Sequence, residues 1–311
     1  MQKECILIIG AGGQIGTVLT EALRSVYGES QVIASDLKPL PASNGPSVIL
    51  NAMDGAALHE VATKHHVTQI YHLAAILSAT GEKDPLKAWD INMTSLLNVL
   101  ELARQLPLRK VYYPSSIAVF GLGARHENTP QLEVLIPETV YGISKATGEN
   151  WANYYHKRYG VDIRSLRYPG IIGYQSLPGG GTTDYAVDIY HYAVRGESFP
   201  CFLHADTALP MLYMPDAIRA TLELMEAPSD KIRVRTSYNL AGMTFTPAEI
   251  AASIKQIIPD FSITYQPDFR QAIADSWPSS IDDSSARNDW QWAPEFDLNS
   301  MTADMIKHLK K

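Results

Sequence analysis

Residues 5–16 read Cys-Ile-Leu-Ile-Ile-Gly-Ala-Gly-Gly-Gln-Ile-Gly, so that a short apolar run ends in a glycine cluster. The apolar run predicts a buried strand at 5–9, and the pattern after the glycines predicts a helix at about 15–27. Glycines between a strand and a helix permit a tight turn and a close backbone approach to a pyrophosphate. The turn therefore predicts a dinucleotide site, with a structural turn that binds nothing as the alternative. The residues predicted to hold the cofactor here are Gly10, Gly13, Gln14, Ile15 and Gly16.

The first half of the chain alternates short β-branched runs with longer helical patterns, which is typical of βαβ units and a parallel sheet. Further helices are predicted at about 55–65, 85–106 and 141–159. Further strands are predicted at 31–35, 47–51, 69–73, 110–114 and 162–167. This order predicts an α/β fold, a doubly wound parallel sheet of the Rossmann type with a smaller C-terminal substrate-binding lobe.

The sequence pattern changes after about Tyr168, where a loop-rich segment at 176–184 is followed by short mixed elements and repeated prolines. Because a proline tends to end or kink a helix, the last third is not expected to form one long helix. We therefore predict a dinucleotide-binding Rossmann domain at residues 1–175, with later returning segments at about 211–242. Residues 176–311 are predicted to form mainly the substrate-binding lobe.

The composition is that of a soluble globular protein, with 311 residues, 46% of them hydrophobic, and a formal net charge of −7. Lys and Arg form no run, which argues against nucleic acid or an anionic membrane as a partner. The N-terminal apolar stretch is too short for a secretion signal, and no stretch approaches the roughly 20 apolar residues of a membrane span. Cys5 and Cys201 form no CxxC motif and suit a reducing compartment. These features predict a cytoplasmic protein.

An acidic residue, Asp36, follows the second predicted strand, about 20 residues after the last glycine of the turn. A carboxylate at this position can accept hydrogen bonds from the adenosine ribose hydroxyls and repel a 2′-phosphate. We therefore predict NAD rather than NADP as the cofactor, with Lys38 nearby weakening the exclusion of NADP. The alternative is an aspartate that is merely solvated in a turn.

Tyr141 and Lys145 lie four residues apart in a helical pattern and therefore on one face of the predicted helix. A lysine ammonium beside a tyrosine favours the tyrosinate, which can act as a general base toward a substrate hydroxyl. Ser116 follows the predicted strand at 110–114, at the sheet edge where such folds bind ligands, and can donate to the reacting oxygen. A YxxxK match also occurs by chance, and a serine at a strand end is often only a turn residue. Their combination predicts a catalytic set.

Several motifs together resemble the extended short-chain dehydrogenase/reductase superfamily. They are the GxxGxxG turn, Asp36, the strand end at 114–121, the YGISK segment at 141–145 with Glu149 following, and Arg-Tyr-Pro-Gly at 167–170. Further segments resemble the short-chain-type L-threonine 3-dehydrogenases of that superfamily, namely 178–185, 209–216, 238–242, 267–270, 275–278 and 280–283. The resemblance extends over nearly the whole chain.

The resemblance implies metal-free, NAD-dependent oxidation of the 3-hydroxyl of L-threonine to L-2-amino-3-oxobutanoate. Tyr141 would be the base, Lys145 would hold the nicotinamide ribose, and Ser116 would bind the reacting hydroxyl. Asp54 would reach the adenine. Together with Tyr141 and Lys145, the residues implied to line the cofactor are Leu73, Ala74, Ala75, Asn92, Tyr168, Pro169 and Ile171.

A zwitterionic amino acid needs donors for its carboxylate and oxygen acceptors for its ammonium group. With threonine as the substrate, we expect these groups in two segments, 78–81 and 179–184, of which the glycine-rich second could close as a lid. Trp277 could cover the methyl end, although a tryptophan in this setting often only packs. The predicted substrate-binding residues are Ser78, Ser116, Tyr141, Gly180, Thr182, Thr183 and Trp277.

The residues leave other functions open. Neither the adjacent pair His65 and His66 nor His72 falls into a catalytic zinc pattern, so no metal ligand is predicted. A nucleotide-sugar epimerase or dehydratase would use the same tyrosine and serine, and the C-terminal arginines could then grip a second diphosphate. A nucleotide-binding protein without catalysis would have no need of the tyrosine base.

The two long predicted helices at 85–106 and 141–159 also predict an assembly. Pairing with their copies in a second subunit would give a four-helix interface and a homodimer. The same helices could instead cover the sheet in a monomer.

Overall fold

The computed structural model describes residues 4–41, 44–177, 179 and 181–310. Its strands are β1 (Ile6–Ile9), β2 (Val32–Asp36), β3 (Ser47–Ile49), β4 (Gln69–His72), β5 (Lys110–Tyr112), β6 (Ser115–Ser116), β7 (Ile163–Arg164), β8 (Leu166–Tyr168), β9 (Gly170–Ile172), β10 (Phe199–Cys201), β11 (Leu209–Tyr213), β12 (Tyr238–Asn239), β13 (Met243–Phe245) and β14 (Ile263–Tyr265). Its α-helices are α1 (Gln14–Tyr27), α2 (Gly55–Lys64), α3 (Ser78–Gly81), α4 (Pro85–Gln105), α5 (Val140–Tyr159), α6 (Tyr185–Arg195), α7 (Met214–Glu226), α8 (Pro247–Ile257), α9 (Arg270–Asp275), α10 (Ser284–Trp290) and α11 (Leu298–Leu309).

The described residues form two compact units. The first unit comprises the residues up to Ser115, Thr139–Arg167 and Ala220–Tyr238, and the second comprises Ser116–Glu138, Tyr168–Arg219 and the residues from Asn239 onward. This division differs from the predicted boundary at 175, because the chain already leaves the first unit soon after β5 and again soon after β7. The chain returns to the first unit at Ala220–Tyr238, inside the returning segment predicted at 211–242.

Six parallel strands form the sheet of the first unit, in the order β3-β2-β1-β4-β5-β7. Strand β1 pairs with β2 at Ile6 and Val32 and with β4 at Ile6 and Gln69, so the strand order reverses on either side of β1. The apolar residues of the central strands β1, β2 and β4 are buried without interruption, as expected for a sheet covered on both faces. The predicted doubly wound Rossmann fold is confirmed.

The predicted elements of the first half correspond closely to the observed ones. The helices α1, α2, α4 and α5 begin and end within one residue of their predicted bounds. The strand predicted at 162–167 is instead divided, and only β7 belongs to the six-stranded sheet. The ladder ends there because the carbonyl of Ser165 accepts a hydrogen bond from the N–H of Tyr238, 2.9 Å away, rather than from a strand of that sheet.

Caps fix the start of the two long helices in the first unit. Helix α4 follows Asp84, whose Oδ1 accepts from the N–H of Lys87, and has Pro85 in its first turn. Helix α5 follows Thr139, whose Oγ1 accepts from the N–H of Gly142 at 3.1 Å. The α5 cap places Tyr141 in the first turn of its helix.

Within the second unit, β9 and β11 pair in parallel and β11 and β13 pair antiparallel, while β10 and β14 form a separate parallel pair. Helices α6, α8 and α11 contact one another. Buried hydroxyls join them, since Thr302 Oγ1 lies 2.8 Å from Tyr190 Oη and accepts from Ser253 Oγ at 3.0 Å. This unit therefore has a core of its own.

Over residues 4–41, 44–177, 179 and 181–310, no helix combines the length and the apolar character that a membrane crossing requires.

Candidate functional site

The glycine turn leaves no room for side chains. Gly10 has φ +88°, and a Cβ there would lie 2.7 Å from the backbone nitrogen of Ala74. A Cβ on Gly16 would lie 2.2 Å from the carbonyl oxygen of Gly10. The N–H groups of Gly10 and Ala11 both donate to Ser35 O at 2.9 Å, which ties the turn to β2. Glycine is therefore required at both positions, because neighbouring backbone atoms come too close for a side chain. The turn lies at the point where the strand order reverses.

A pocket opens at this turn, at the carboxyl ends of the central strands. Six of the predicted cofactor residues line it together: Gly10, Gly13, Asp36, Leu73, Ala74 and Ala75. Gly13 is also the N-cap of α1, and Gln14, Ile15 and Gly16 form the first helical turn behind it. The other lining residues are Ile9, Leu37, Leu50, Asn51, Ala52, Met53, Ile76, Ile91 and Ser95.

The Asp36 carboxylate is fixed at the end of β2. Its Oδ2 accepts from the N–H of Gly12 at 2.9 Å, and its Oδ1 accepts from the N–H of Leu37 at 2.8 Å. A Cβ on Gly12 would lie 3.1 Å from Oδ2, so the glycine lets the acid approach the turn. The carboxylate thus lines the pocket in one defined orientation.

Two further predicted cofactor residues form hydrogen bonds near the pocket. Asp54 is the N-cap of α2, and its Oδ1 accepts from the N–H of Ala57 at 3.0 Å. Asn92 is buried, and its amide accepts from Ile76 N at 2.7 Å and donates to Ile76 O and to Ser144 Oγ. The Asn92 hydrogen bonds to Ile76 hold the loop after β4, whose residues line the pocket.

Residues 50–53 line the pocket but were not predicted from the sequence as cofactor residues. They follow β3, as Asp36 ends β2, and they line the same pocket. The signal that could have found them is position, because residues beyond the carboxyl ends of neighbouring parallel strands meet at one sheet edge.

Helix α5 presents Tyr141 and Lys145 on one face. Lys145 is buried, and its Nζ donates to the carbonyl oxygen of Pro114 at 2.7 Å. The same nitrogen lies 4.5 Å from the ring centroid of Tyr113 and 5.6 Å from that of Tyr141. Burial lowers the pKa of Lys145 to about 7, against the opposing effect of Glu149. The Lys145 side chain can therefore gain or lose a proton near neutral pH.

His72 lies at the end of β4 beside this group. Its ring is buried, and Nε2 lies 3.3 Å from Ser95 Oγ. Burial lowers the pKa of His72 to about 3, and the charge of Lys145 contributes a smaller part of this effect. His72 is therefore neutral at physiological pH. Among the described residues, no group of three or more His, Cys, Asp or Glu side chains could hold a metal ion.

Other predicted site residues belong to the second unit. Ser116 caps a 3₁₀ turn at Ile117–Val119, and its Oγ accepts from the N–H of Ala118 at 3.2 Å. Tyr168 is buried and donates its hydroxyl to Ala217 O at 3.4 Å. Pro169 is buried, and Ile171 pairs with Leu212 in the β9–β11 ladder.

The predicted substrate residues occupy several places. Ser78 is the first residue of α3 in the first unit and is buried. Thr182 is also buried, and within the described part of the chain its Oγ1 has no hydrogen-bond partner. Thr183 packs against Gly170. A Cβ added to Gly170 would lie 2.7 Å from the methyl carbon of Thr183. Trp277 is 7% exposed, and its backbone N–H donates to Ala274 O. Gly180 lies outside the described residues.

Known proteins resemble the chain over nearly its full length. A GalE-like L-threonine dehydrogenase from Cupriavidus necator in its holo form has 58% sequence identity and a TM-score of 0.97, over 98% of this chain and 99% of that one. A monomeric L-threonine 3-dehydrogenase from a metagenome has 46% identity and a TM-score of 0.95, over 98% of each chain. The mitochondrial L-threonine 3-dehydrogenase of Bos taurus is 45% identical, over 98% of this chain and 82% of its own.

Residues 6–241 match the NAD dependent epimerase/dehydratase family. This match spans most of the chain, including the glycine turn, Asp36 and the helix that carries Tyr141 and Lys145. The protein therefore belongs to the NAD dependent epimerase/dehydratase family.

Proposed function

We propose that this protein is an L-threonine 3-dehydrogenase, which oxidises the 3-hydroxyl of L-threonine to L-2-amino-3-oxobutanoate with NAD. The observation that carries the proposal is the helix α5 pair, in which the buried Lys145 Nζ lies 5.6 Å from the ring centroid of Tyr141. Such a pair fits a base for a secondary alcohol. The names of the relatives at 45–58% identity supply the substrate and favour this activity over that of a nucleotide-sugar epimerase.

The pocket of the first unit fits NAD. Gly10 and Gly16 keep the turn open to a pyrophosphate, and Asp36 offers a fixed carboxylate to the adenosine ribose. Leu37 and residues 50–53 would contact the adenine, and Leu73, Ala74 and Ala75 line the same pocket. When bound, NAD accepts a hydride from the carbon that carries the hydroxyl.

Tyr141 is proposed as the general base and Lys145 as the group that favours its ionised form. Lowering a phenol pKa from about 10 to about 7 requires roughly 4 kcal/mol of differential stabilisation, which an ammonium in a buried site can supply in large part. Lys145 would also hold the nicotinamide ribose. Ser116 would donate to the reacting oxygen, with Tyr168, Pro169 and Ile171 flanking the nicotinamide.

The ends of the amino acid require polar groups. We assign these polar groups to Ser78, Gly180, Thr182 and Thr183. Trp277 would cover the methyl group of the substrate. The buried Thr182 hydroxyl supports this assignment because it lacks a hydrogen-bond partner among the described residues. Helix α6 begins at Tyr185, just beyond these threonines, and a helix N-terminus favours a carboxylate.

We also propose a cytoplasmic homodimer. Aromatic side chains stay exposed along α5, where Trp151 is 36%, Tyr154 48% and Tyr159 44% accessible, and α4 exposes Leu86. Light scattering coupled to size-exclusion chromatography tests the dimer against the monomeric state named for the metagenome relative. A measured mass equal to that of one chain would contradict the homodimer.

The activity is tested by NADH formation from purified protein, NAD and L-threonine in the presence of EDTA. L-Serine, D-threonine and UDP-glucose serve as comparators. Turnover with L-threonine that resists EDTA supports the proposal. Turnover of UDP-glucose without turnover of threonine would contradict it and favour the nucleotide-sugar epimerase.

A further inference from the structure

A buried carboxylate lies one helical turn beyond Lys145 in α5. Glu149 is 1% exposed and forms two hydrogen bonds with Arg167, from Nε at 2.9 Å and from Nη2 at 2.7 Å. Arg167 is itself only 4% exposed. The hydroxyl of Ser115 donates to the same carboxylate at 2.6 Å. Three donors thus hold Glu149 in one position.

Stability alone does not explain this ion pair. A buried carboxylate and guanidinium lose their hydration, and replacing such a pair with neutral groups is often neutral or stabilising. The pair does, however, fix α5 against two places in the chain. Ser115 immediately precedes Ser116, and Arg167 immediately precedes Tyr168. Both neighbours are proposed site residues.

The charges around Lys145 give Glu149 a second effect. On the same helix lie Tyr141 and Glu149, and from the strands Lys145 faces His72 and Tyr113. His72 is neutral, and burial keeps Tyr113 neutral by raising its pKa. Arg167 is cationic and bonded to Glu149. Of these groups, the anion that offsets the burial of Lys145 is Glu149.

We infer that Glu149 is a positioning residue for the dehydrogenase reaction, whose carboxylate, locked by Arg167 and Ser115, keeps Lys145 cationic beside Tyr141. This inference rests on the proposed function. Without the carboxylate, Lys145 releases its proton at lower pH, and Tyr141 loses the neighbouring ammonium. The phenol then ionises only at higher pH, so the base becomes available at higher pH as well.

The test is the pH profile of kcat/KM for L-threonine with saturating NAD, compared between wild type and Glu149→Gln. We expect the acidic limb of the variant to move to higher pH by about one pH unit, with about a tenfold loss of activity below the limb and recovery above it. Glu149→Asp retains the charge and should keep the limb close to that of wild type. Ser115→Ala removes one of the three hydrogen bonds to Glu149 and keeps both charges, so its limb should stay close to that of wild type if the charge of Glu149 is what acts on Lys145.

Because Glu149→Gln leaves Arg167 buried without its counter-charge, that variant could fail to fold. The double variant Glu149→Gln/Arg167→Met removes both charges together, so no unpaired charge is buried. Its pH profile can then be measured on folded protein. Its limb should also move to higher pH while its thermal unfolding stays near that of wild type. A wild-type limb in either folded variant would overturn the inference. Silence of the wild-type enzyme with threonine would instead contradict the proposed function.

Discussion

Lys145 of helix α5 donates from Nζ to the carbonyl oxygen of Pro114, 2.7 Å away. Pro114 lies two residues beyond β5, so this hydrogen bond fixes the ammonium at the carboxyl end of a sheet strand. Buried and bonded in this way, Lys145 has little rotational freedom. Helix α5 and this hydrogen bond together place the ammonium 5.6 Å from the Tyr141 ring centroid.

Tyr141→Phe tests the assignment of the base. The phenylalanine ring keeps the shape of the side chain and loses the ionisable hydroxyl, so kcat/KM for L-threonine should fall by about 10³-fold. NAD binding, followed by protein fluorescence, should change by less than about threefold. Retention of more than a tenth of wild-type activity would reject Tyr141 as the base.

Lys145→Met tests the cost of burying the ammonium. The pKa of Lys145 is about 7 in the folded protein and about 10.4 in an unfolded chain, so between these values the unfolded chain binds more protons. This group therefore makes the folded protein more stable as pH rises from about 7 to about 10. It contributes least below pH 7, where the buried ammonium is charged.

The Lys145→Met variant should accordingly have a larger free energy of unfolding than wild type at pH 6.5, by at least about 1 kcal/mol. The difference should shrink or reverse at pH 9.5, where the wild type no longer buries a charge and the variant still lacks the hydrogen bond to Pro114. Urea unfolding of cofactor-free protein at both pH values measures it. If the free energies of unfolding of the two proteins changed with pH in parallel, the lowered pKa of Lys145 would be contradicted.

Gly10→Ala tests the close approach at the turn. The new methyl group would lie 2.7 Å from the Ala74 nitrogen in a backbone conformation with positive φ, so both crowding and strain act against it. Gly28→Ala is the matched control, since φ is +95° there and no atom lies within 4 Å of the added Cβ.

We expect Gly28→Ala to lower the free energy of unfolding by about 1 kcal/mol and to leave NAD affinity unchanged. Gly10→Ala should lower it by about 2 kcal/mol or more and weaken NAD binding at least tenfold. Chemical denaturation and titration with NAD measure the two effects. Equal losses in the two variants would show that conformational strain, rather than the contact with Ala74, explains Gly10.

Asp36→Ser tests the choice between NAD and NADP. Removing the carboxylate removes its repulsion of a 2′-phosphate and its hydrogen bonds with the ribose, so the ratio of kcat/KM for NAD to that for NADP should fall at least about tenfold. Lys38→Ala is the control and should raise this ratio or leave it unchanged. An unaltered preference in Asp36→Ser would place the discrimination elsewhere.

The Rossmann fold of the first unit could be predicted because its signals are local. Apolar runs of strand length, helical patterns between them and the glycine turn each depend on a few neighbouring residues. The division of the strand predicted at 162–167 could not be foreseen, since it depends on a hydrogen bond between Ser165 and Tyr238, which are far apart in sequence.

The pocket could be predicted in part for the same reason. Gly10, Asp36 and Leu73 end or follow strands, and residues at the carboxyl ends of parallel strands converge. Asp54 and Asn92 are expected at the cofactor by resemblance, and in the structure Asp54 caps a helix while Asn92 bonds the backbone of Ile76. The partners of a polar side chain depend on the tertiary structure, so its sequence position alone does not reveal them.

Transfer of deuterium from L-[3-²H]threonine tests the central claim most directly. Purified protein would be incubated with NAD, EDTA and the labelled substrate, and the reduced cofactor analysed by mass spectrometry. The account predicts one deuterium in each reduced cofactor, formed together with L-2-amino-3-oxobutanoate. Reduced cofactor without deuterium, or none formed from threonine, would contradict hydride transfer from the carbon that bears the 3-hydroxyl.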